Sequence, residues 1–100
     1  MDLRFRGLGV APVTPFRPNG AIDYVALEKL IEHQIAGEVD YLVVMGTTGE
    51  SVTLANEEKT QLLAQVIEVV RNRVPIVLGV GGNHTAEVVK ALEHFDLSNV

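Results

Sequence analysis

Residues 41–51 read Tyr41-Leu-Val-Val-Met45 and then Gly46-Thr-Thr-Gly-Glu-Ser51. The apolar run is too short for a helix and carries no polar face, so it predicts a strand buried on both sides. Working outward, the same pattern recurs. Upstream, Gly7 to Val13 is a short apolar run bounded by Gly and Pro, a first strand despite Pro12. Thr14-Pro-Phe-Arg-Pro-Asn-Gly20 is turn chemistry. Asp23 is placed to cap a helix from Tyr24 to Ala36 with Gly37 as its stop, and Leu27, Leu30, Ile31 and Ile35 share one face of it. Downstream, a second helix is predicted from Asn56 to Asn72, with Asn56 as its cap and a stripe of Leu62, Leu63, Val66, Ile67 and Val70. Glu57 and Glu58 suit the positive end of its dipole. Pro75 to Val80 is a third strand, and Thr85 is read as the cap of a third helix carrying Val88, Val89, Leu92 and Phe95.

Strand and helix therefore alternate three times, with strand centres near residues 10, 43 and 77. That order gives a parallel sheet with helices packed on it. Strands that are apolar on both faces need cover on each side and neighbours at both edges. Three units supply little of either, whereas a closed barrel of eight runs to about 250 residues. The expectation is that this is the N-terminal portion of a longer enzyme; the alternative is a small three-unit α/β module complete as written.

Composition narrows the function. Of 100 residues, 47% are hydrophobic and 21% charged, an ordinary globular balance. The net charge of -5 leaves no broad basic surface for nucleic acid and nothing polybasic for an anionic membrane. There is no cysteine, hence no disulfide, thiolate zinc site or Cys nucleophile, which fits a cytoplasmic protein. The longest apolar stretches fall far short of the roughly 20 residues that span a bilayer. Met1-Asp-Leu-Arg-Phe-Arg-Gly7 has charges but no following apolar region, unlike a secretory signal.

The Gly46–Ser51 loop follows a buried strand directly, and strand C-termini build the active sites of parallel α/β folds. Its glycines permit a sharp turn and close approach, and Thr47 and Thr48 set hydroxyls beside backbone N–H groups. That pairing suits a small carboxylate or phosphate held by fixed dipoles. The lysine of a nucleotide-binding phosphate loop is missing. The competing reading is a turn whose threonines satisfy only the backbone. Gly79-Val-Gly-Gly-Asn83 fails the dinucleotide spacing because residue 84 is His, although Asn83 and Glu87 are placed to face a pocket. Lys29, Lys59 and Lys90 all fall in predicted helices; none ends a strand, where a desolvated Schiff-base lysine belongs. Tyr24 and Tyr41 open a helix and a strand. His33, His84 and His94 lack metal-ligand spacing, and His33 and His94 read as solvated. Glu50 is an acid or base candidate, but is read rather as an acceptor for its own loop.

Three stretches in order, Ala11-Pro-Val-Thr-Pro-Phe16, Gly46 to Ser51 and Val74-Pro-Ile-Val-Leu-Gly-Val-Gly-Gly-Asn83, followed by Thr85-Ala-Glu87, resemble the dihydrodipicolinate synthase family of pyruvate-dependent class I aldolases over essentially the whole chain. The resemblance implies that residues 1–100 are the first three βα units of a single (β/α)8 TIM-barrel domain, usually in a homotetramer of two tight dimers. It implies a lyase condensing pyruvate with aspartate 4-semialdehyde, on the diaminopimelate and lysine route, through a lysine Schiff base and without metal or organic cofactor. Thr48 matches the residue holding the pyruvate carboxylate, and Thr47 a member of a proton relay between tyrosines. The family's Schiff-base lysine, relay tyrosines and substrate-binding arginine come later, so the segment alone is expected to be inactive. Ser51, Asn83 and Glu87 match a cleft where many bacterial members bind L-lysine as a feedback inhibitor. Asn56 and Lys59 stand where lysine-sensitive members often carry histidine. Related N-acetylneuraminate lyases usually have Ser at the position of Thr47. A sibling 2-keto acid aldolase is the nearer alternative, and a non-catalytic carboxylate- or phosphate-binding module the more distant one.

Overall fold

A computed structural model describes residues 3–100; Met1 and Asp2, the start of the stretch inspected for a targeting signal, lie outside the described residues. Asp23 starts the first helix. Its backbone is extended and its Oδ1 accepts from the Ala26 N–H at 3.0 Å, so α1 spans Tyr24–Ala36 and stops at Gly37, as the sequence predicts. Three parallel strands follow in spatial order β1 (Gly9–Val10), β2 (Tyr41–Val44) and β3 (Ile76–Leu78). Gly9 pairs with Tyr41 and Val10 with Leu42; Leu42, Val43 and Val44 pair with Ile76, Val77 and Leu78. The first strand is much shorter than its apolar run. Pro12 has no N–H to donate to a ladder, and beyond it only an antiparallel bridge between Phe16 and Ile22 forms.

The second helix, α2, spans Asn56–Val70. Its cap differs from expectation. Ala55 holds the cap position, and Glu58 reaches back to accept from the Ala55 N–H at 2.9 Å, leaving Asn56 as the first helical residue. The helix stops short of Asn72 because Arg71 and Asn72 turn left-handed, with φ of 51° and 58°. The third helix, α3, spans Thr85–His94, and its cap also differs: His84 Nδ1 accepts from the Glu87 N–H, while Thr85 is already helical. Phe95 lies just past its end.

Burial follows the predicted faces. Ile31, Leu42, Val44, Val66 and Val70 are fully enclosed, joined by Leu27, Leu62, Leu63 and Ile76 between β2 and the α1–α2 pair. Arg73 fastens the far ends of those helices. Its guanidinium donates to both Glu32 oxygens, at 2.7 and 3.0 Å, and to the Val69 and Val70 carbonyls of α2. Two surfaces stay uncovered. Tyr41 and Val43, on the other face of β2, are only half-buried, and α3 buries no residue, with Val89 and Leu92 exposed. Among the described residues no helix is long and apolar enough to cross a membrane.

Candidate active-site loop and the adjoining cleft

Because all three strands run the same way, their C-terminal ends share one rim. At the centre of that rim the chain leaves β2 through Met45, which is buried and left-handed with φ 55°. The Gly49 N–H then donates to Gly46 O, and the Glu50 N–H to Thr47 O, each at 3.0 Å. These two overlapping turns leave the Thr47 and Thr48 side chains exposed. Among the described residues, neither their hydroxyls nor their backbone N–H groups have a hydrogen-bond partner. The loop thus presents unspent donors outward, and a plain turn that consumed its own threonines is not what forms.

The loop is braced at both ends. On the β2 side the Gly79 N–H donates to Val44 O at 2.8 Å, and Gly79 lies so close to Met45 that a Cβ there would stand 2.5 Å from its carbonyl oxygen. On the far side Thr14 Oγ1 donates to Gly49 O at 2.7 Å, with both residues buried. The sequence reading placed Thr14 in turn chemistry and missed this contact. The available signal was its position just after a strand, on the same rim as Gly46–Ser51. Glu50 also departs from expectation: its backbone carbonyl, not its carboxylate, accepts from the Thr53 N–H and hydroxyl, at 2.9 and 2.8 Å.

The remaining candidates gather next door. Ser51, Asn56, Lys59, Asn83 and Glu87 line one cleft of about 460 Å³, together with Lys90. Its carboxylate is already engaged, since Lys90 Nζ sits 3.4 Å from Glu87 Oε1. Lys29, Lys59 and Lys90 all lie in helices, as expected. Tyr41 is at the opposite end of β2, its ring edge-on to Phe5 at 5.8 Å. Tyr24 opens α1, and burial, then the nearby Glu58 charge, push its hydroxyl pKa up. His33 and His94 are exposed, as read from sequence.

Three parallel βα units in sequence order, with a braced, donor-bearing turn at the strand C-termini, match the opening of a (β/α)8-barrel fold. The Dihydrodipicolinate synthetase family model matches residues 4–98, and the chain belongs to that family. It is 50% identical over 92 residues to a 4-hydroxy-tetrahydrodipicolinate synthase of Parabacteroides distasonis, covering 92% of this chain and 31% of that protein. A protein of the same name from Phocaeicola vulgatus is 43% identical over 100% of this chain and 34% of its own length. Among solved structures, dihydrodipicolinate synthase from Thermotoga maritima superimposes with a TM-score of 0.87 at 38% identity, covering 91% of this chain and 30% of that one. The chloride-inhibited enzyme from Acinetobacter baumannii, complexed with pyruvate, gives 0.84 at 41% identity, covering 87% and 30%. The chain spans about a third of the length of these relatives.

Proposed function

We propose that residues 1–100 are the N-terminal part of a single (β/α)8-barrel domain continuing past Val100, and that the whole protein is a cytoplasmic, homotetrameric lyase. It condenses pyruvate with aspartate 4-semialdehyde on the route to diaminopimelate and L-lysine. The observation that carries this reading is the free donor set of Thr47 and Thr48 on a loop fixed at both ends. The uncovered face of β2 and the exposed apolar residues of α3 fit neighbours supplied by further βα units. Thr48 holds the pyruvate carboxylate through its hydroxyl and N–H, as dipoles that need no reorganisation during the reaction. A lysine amine from beyond residue 100 replaces the ketone oxygen of pyruvate, which leaves as water. The protonated imine draws electrons from the methyl carbon, which gives up a proton and attacks the aldehyde carbon. Thr47 passes protons to and from these centres. Thr47, rather than Ser, favours this activity over an N-acetylneuraminate lyase.

The test is Thr47→Val in the whole protein. Val keeps the shape and removes only the hydroxyl, so kcat falls about 10²- to 10⁴-fold while the pyruvate KM changes far less. Retention of kcat within about threefold would make Thr47 a turn residue. Borohydride trapping with pyruvate should label a lysine other than Lys29, Lys59 and Lys90; a specific adduct on any of these three overturns the Schiff-base assignment.

A further inference from the structure

The two braces on the Gly46–Ser51 loop are of different kinds. The Gly79 contact involves backbone alone, a hydrogen bond to Val44 O and close packing against Met45. The Thr14 contact is a single hydrogen bond, 2.7 Å long, from a side chain on the segment after β1 to the Gly49 carbonyl. Between the anchored Met45 and the anchored Gly49 lie only Gly46, Thr47 and Thr48. The directions of the Thr47 and Thr48 donors are therefore set by where these two anchors stand. The turns' own hydrogen bonds fix the loop's internal shape but not its tilt against the rim. Gly49 O has no other donor among the described residues. Glu50 and Met45 are both left-handed, a conformation that costs energy in a non-glycine residue and persists only where neighbours hold it. From outside the β2–α2 connection, Gly79 packs against Met45 and Thr14 bonds to Gly49, the residue before Glu50.

We propose that Thr14 is a positioning residue for the pyruvate carboxylate. Its hydroxyl holds the Thr47–Thr48 turn at the tilt that aims the Thr48 hydroxyl and N–H at the carboxylate. This rests on the function proposed above. Thr14 itself touches neither substrate nor the reacting atoms; it acts through Gly49.

The experiment compares Thr14→Val and Thr14→Ser with the unaltered whole protein, well below the melting temperature of each. Val preserves volume and deletes the donor; Ser preserves the donor. The expected result is a loss in kcat/KM for pyruvate of roughly 10- to 10²-fold in Thr14→Val, as misplacement of a binding group by a fraction of an ångström commands. The KM for the aldehyde should stay within about twofold, and Thr14→Ser should recover the pyruvate constant to within about threefold. A residue that merely stabilised the fold would lower the melting temperature and leave these constants alone. If Thr14→Val does not accumulate as folded protein, Thr14→Ala removes the same donor without filling the pocket and is measured in its place. Turnover by the unaltered protein that Thr14→Val matches within threefold overturns the Thr14 role and leaves the proposed function standing. An equal loss in Thr14→Ser and Thr14→Val also overturns it, and an unaltered protein without turnover overturns both readings.

Discussion

Lys90 and Glu87 hold each other across one turn of α3, with Nζ 3.4 Å from Oε1. Lys59 of α2 lines the same cleft as Glu87 and is a second candidate partner for it. Both lysines line the cleft, but the carboxylate goes to the one on its own helix, because residues three apart on a helix are neighbours whatever the tertiary packing. Glu87 is therefore not a bare anion waiting for an incoming ammonium, and Lys59 adds a second cation to the same cleft. An L-lysine molecule entering there brings a third. At about 4 Å the repulsion from Lys59 costs roughly 1 to 4 kcal/mol, depending on local dielectric. The whole protein is expected to be weakly inhibited by L-lysine or not at all at saturating pyruvate, and Lys59→His to gain inhibition. Half-maximal inhibition of the unaltered protein below a millimolar would refute this.

What the sequence made legible, and what it hid, divides along a physical line. α1 was readable to the residue because Asp23 and Gly37 are local signals, each acting on its own neighbourhood. The other two caps were misassigned by one position. Asn56 and Thr85 are good capping types, yet Glu58 accepts from the Ala55 N–H from inside the helix, and His84 caps α3 by accepting from the Glu87 N–H with its imidazole. Choosing between adjacent candidates takes backbone dihedrals that composition does not reveal. The Thr47–Thr48 loop was legible because a buried strand ran straight into it. Its braces were not, because Thr14 lies 35 residues from Gly49 and the contact exists only once β1 and β2 have paired. The pairing of Glu32 with Arg73, 41 residues apart, was invisible for the same reason.

Gly79 should tolerate no side chain. A Cβ there would stand 2.5 Å from Met45 O, 2.9 Å from its carbonyl carbon and 3.0 Å from Gly46 N. All three are backbone atoms of the segment that leads into Thr47, so no rotamer change relieves the clash. Gly79→Ala is expected to destabilise the whole protein by about 1–3 kcal/mol, the usual cost of overpacking. It should also lower kcat/KM for pyruvate, since relief requires β2's end or the loop to move. Urea melts read the first effect and steady-state kinetics the second. A variant with both values unchanged would show that the β2 and β3 ends are not held this tightly.

The Glu32–Arg73 clamp predicts an acid-sensitive component of stability. The hydrogen bond from Arg73 is the main cause holding the Glu32 carboxyl below its ordinary value of 4.5; partial burial opposes it, and the charges of Arg73 and Arg71 add to it. In the unfolded chain Glu titrates near about 4.3. A carboxyl whose folded-state pKa is depressed contributes stability that is fully present above the unfolded value and is lost as pH falls through the folded one. Arg73 stays protonated throughout, its own pKa being pushed further up by the hydrogen bond to Glu32, so the whole effect follows Glu32. Glu32→Gln keeps the shape, leaves Arg73 its bonds to Val69 and Val70, and removes the titration. The pair sits at the surface, where ion pairs contribute little, so the melting temperature of Glu32→Gln at pH 7 should lie only about 1–4 °C below that of the unaltered protein. The gap should persist down to about pH 5 and narrow steadily below pH 4.3. It should also shrink in high salt, which screens the charges but not the neutral hydrogen bonds that remain in the variant. A gap that is constant from neutral pH into the acid range would mean that Glu32 contributes through packing alone and that the clamp's charge does not stabilise the fold.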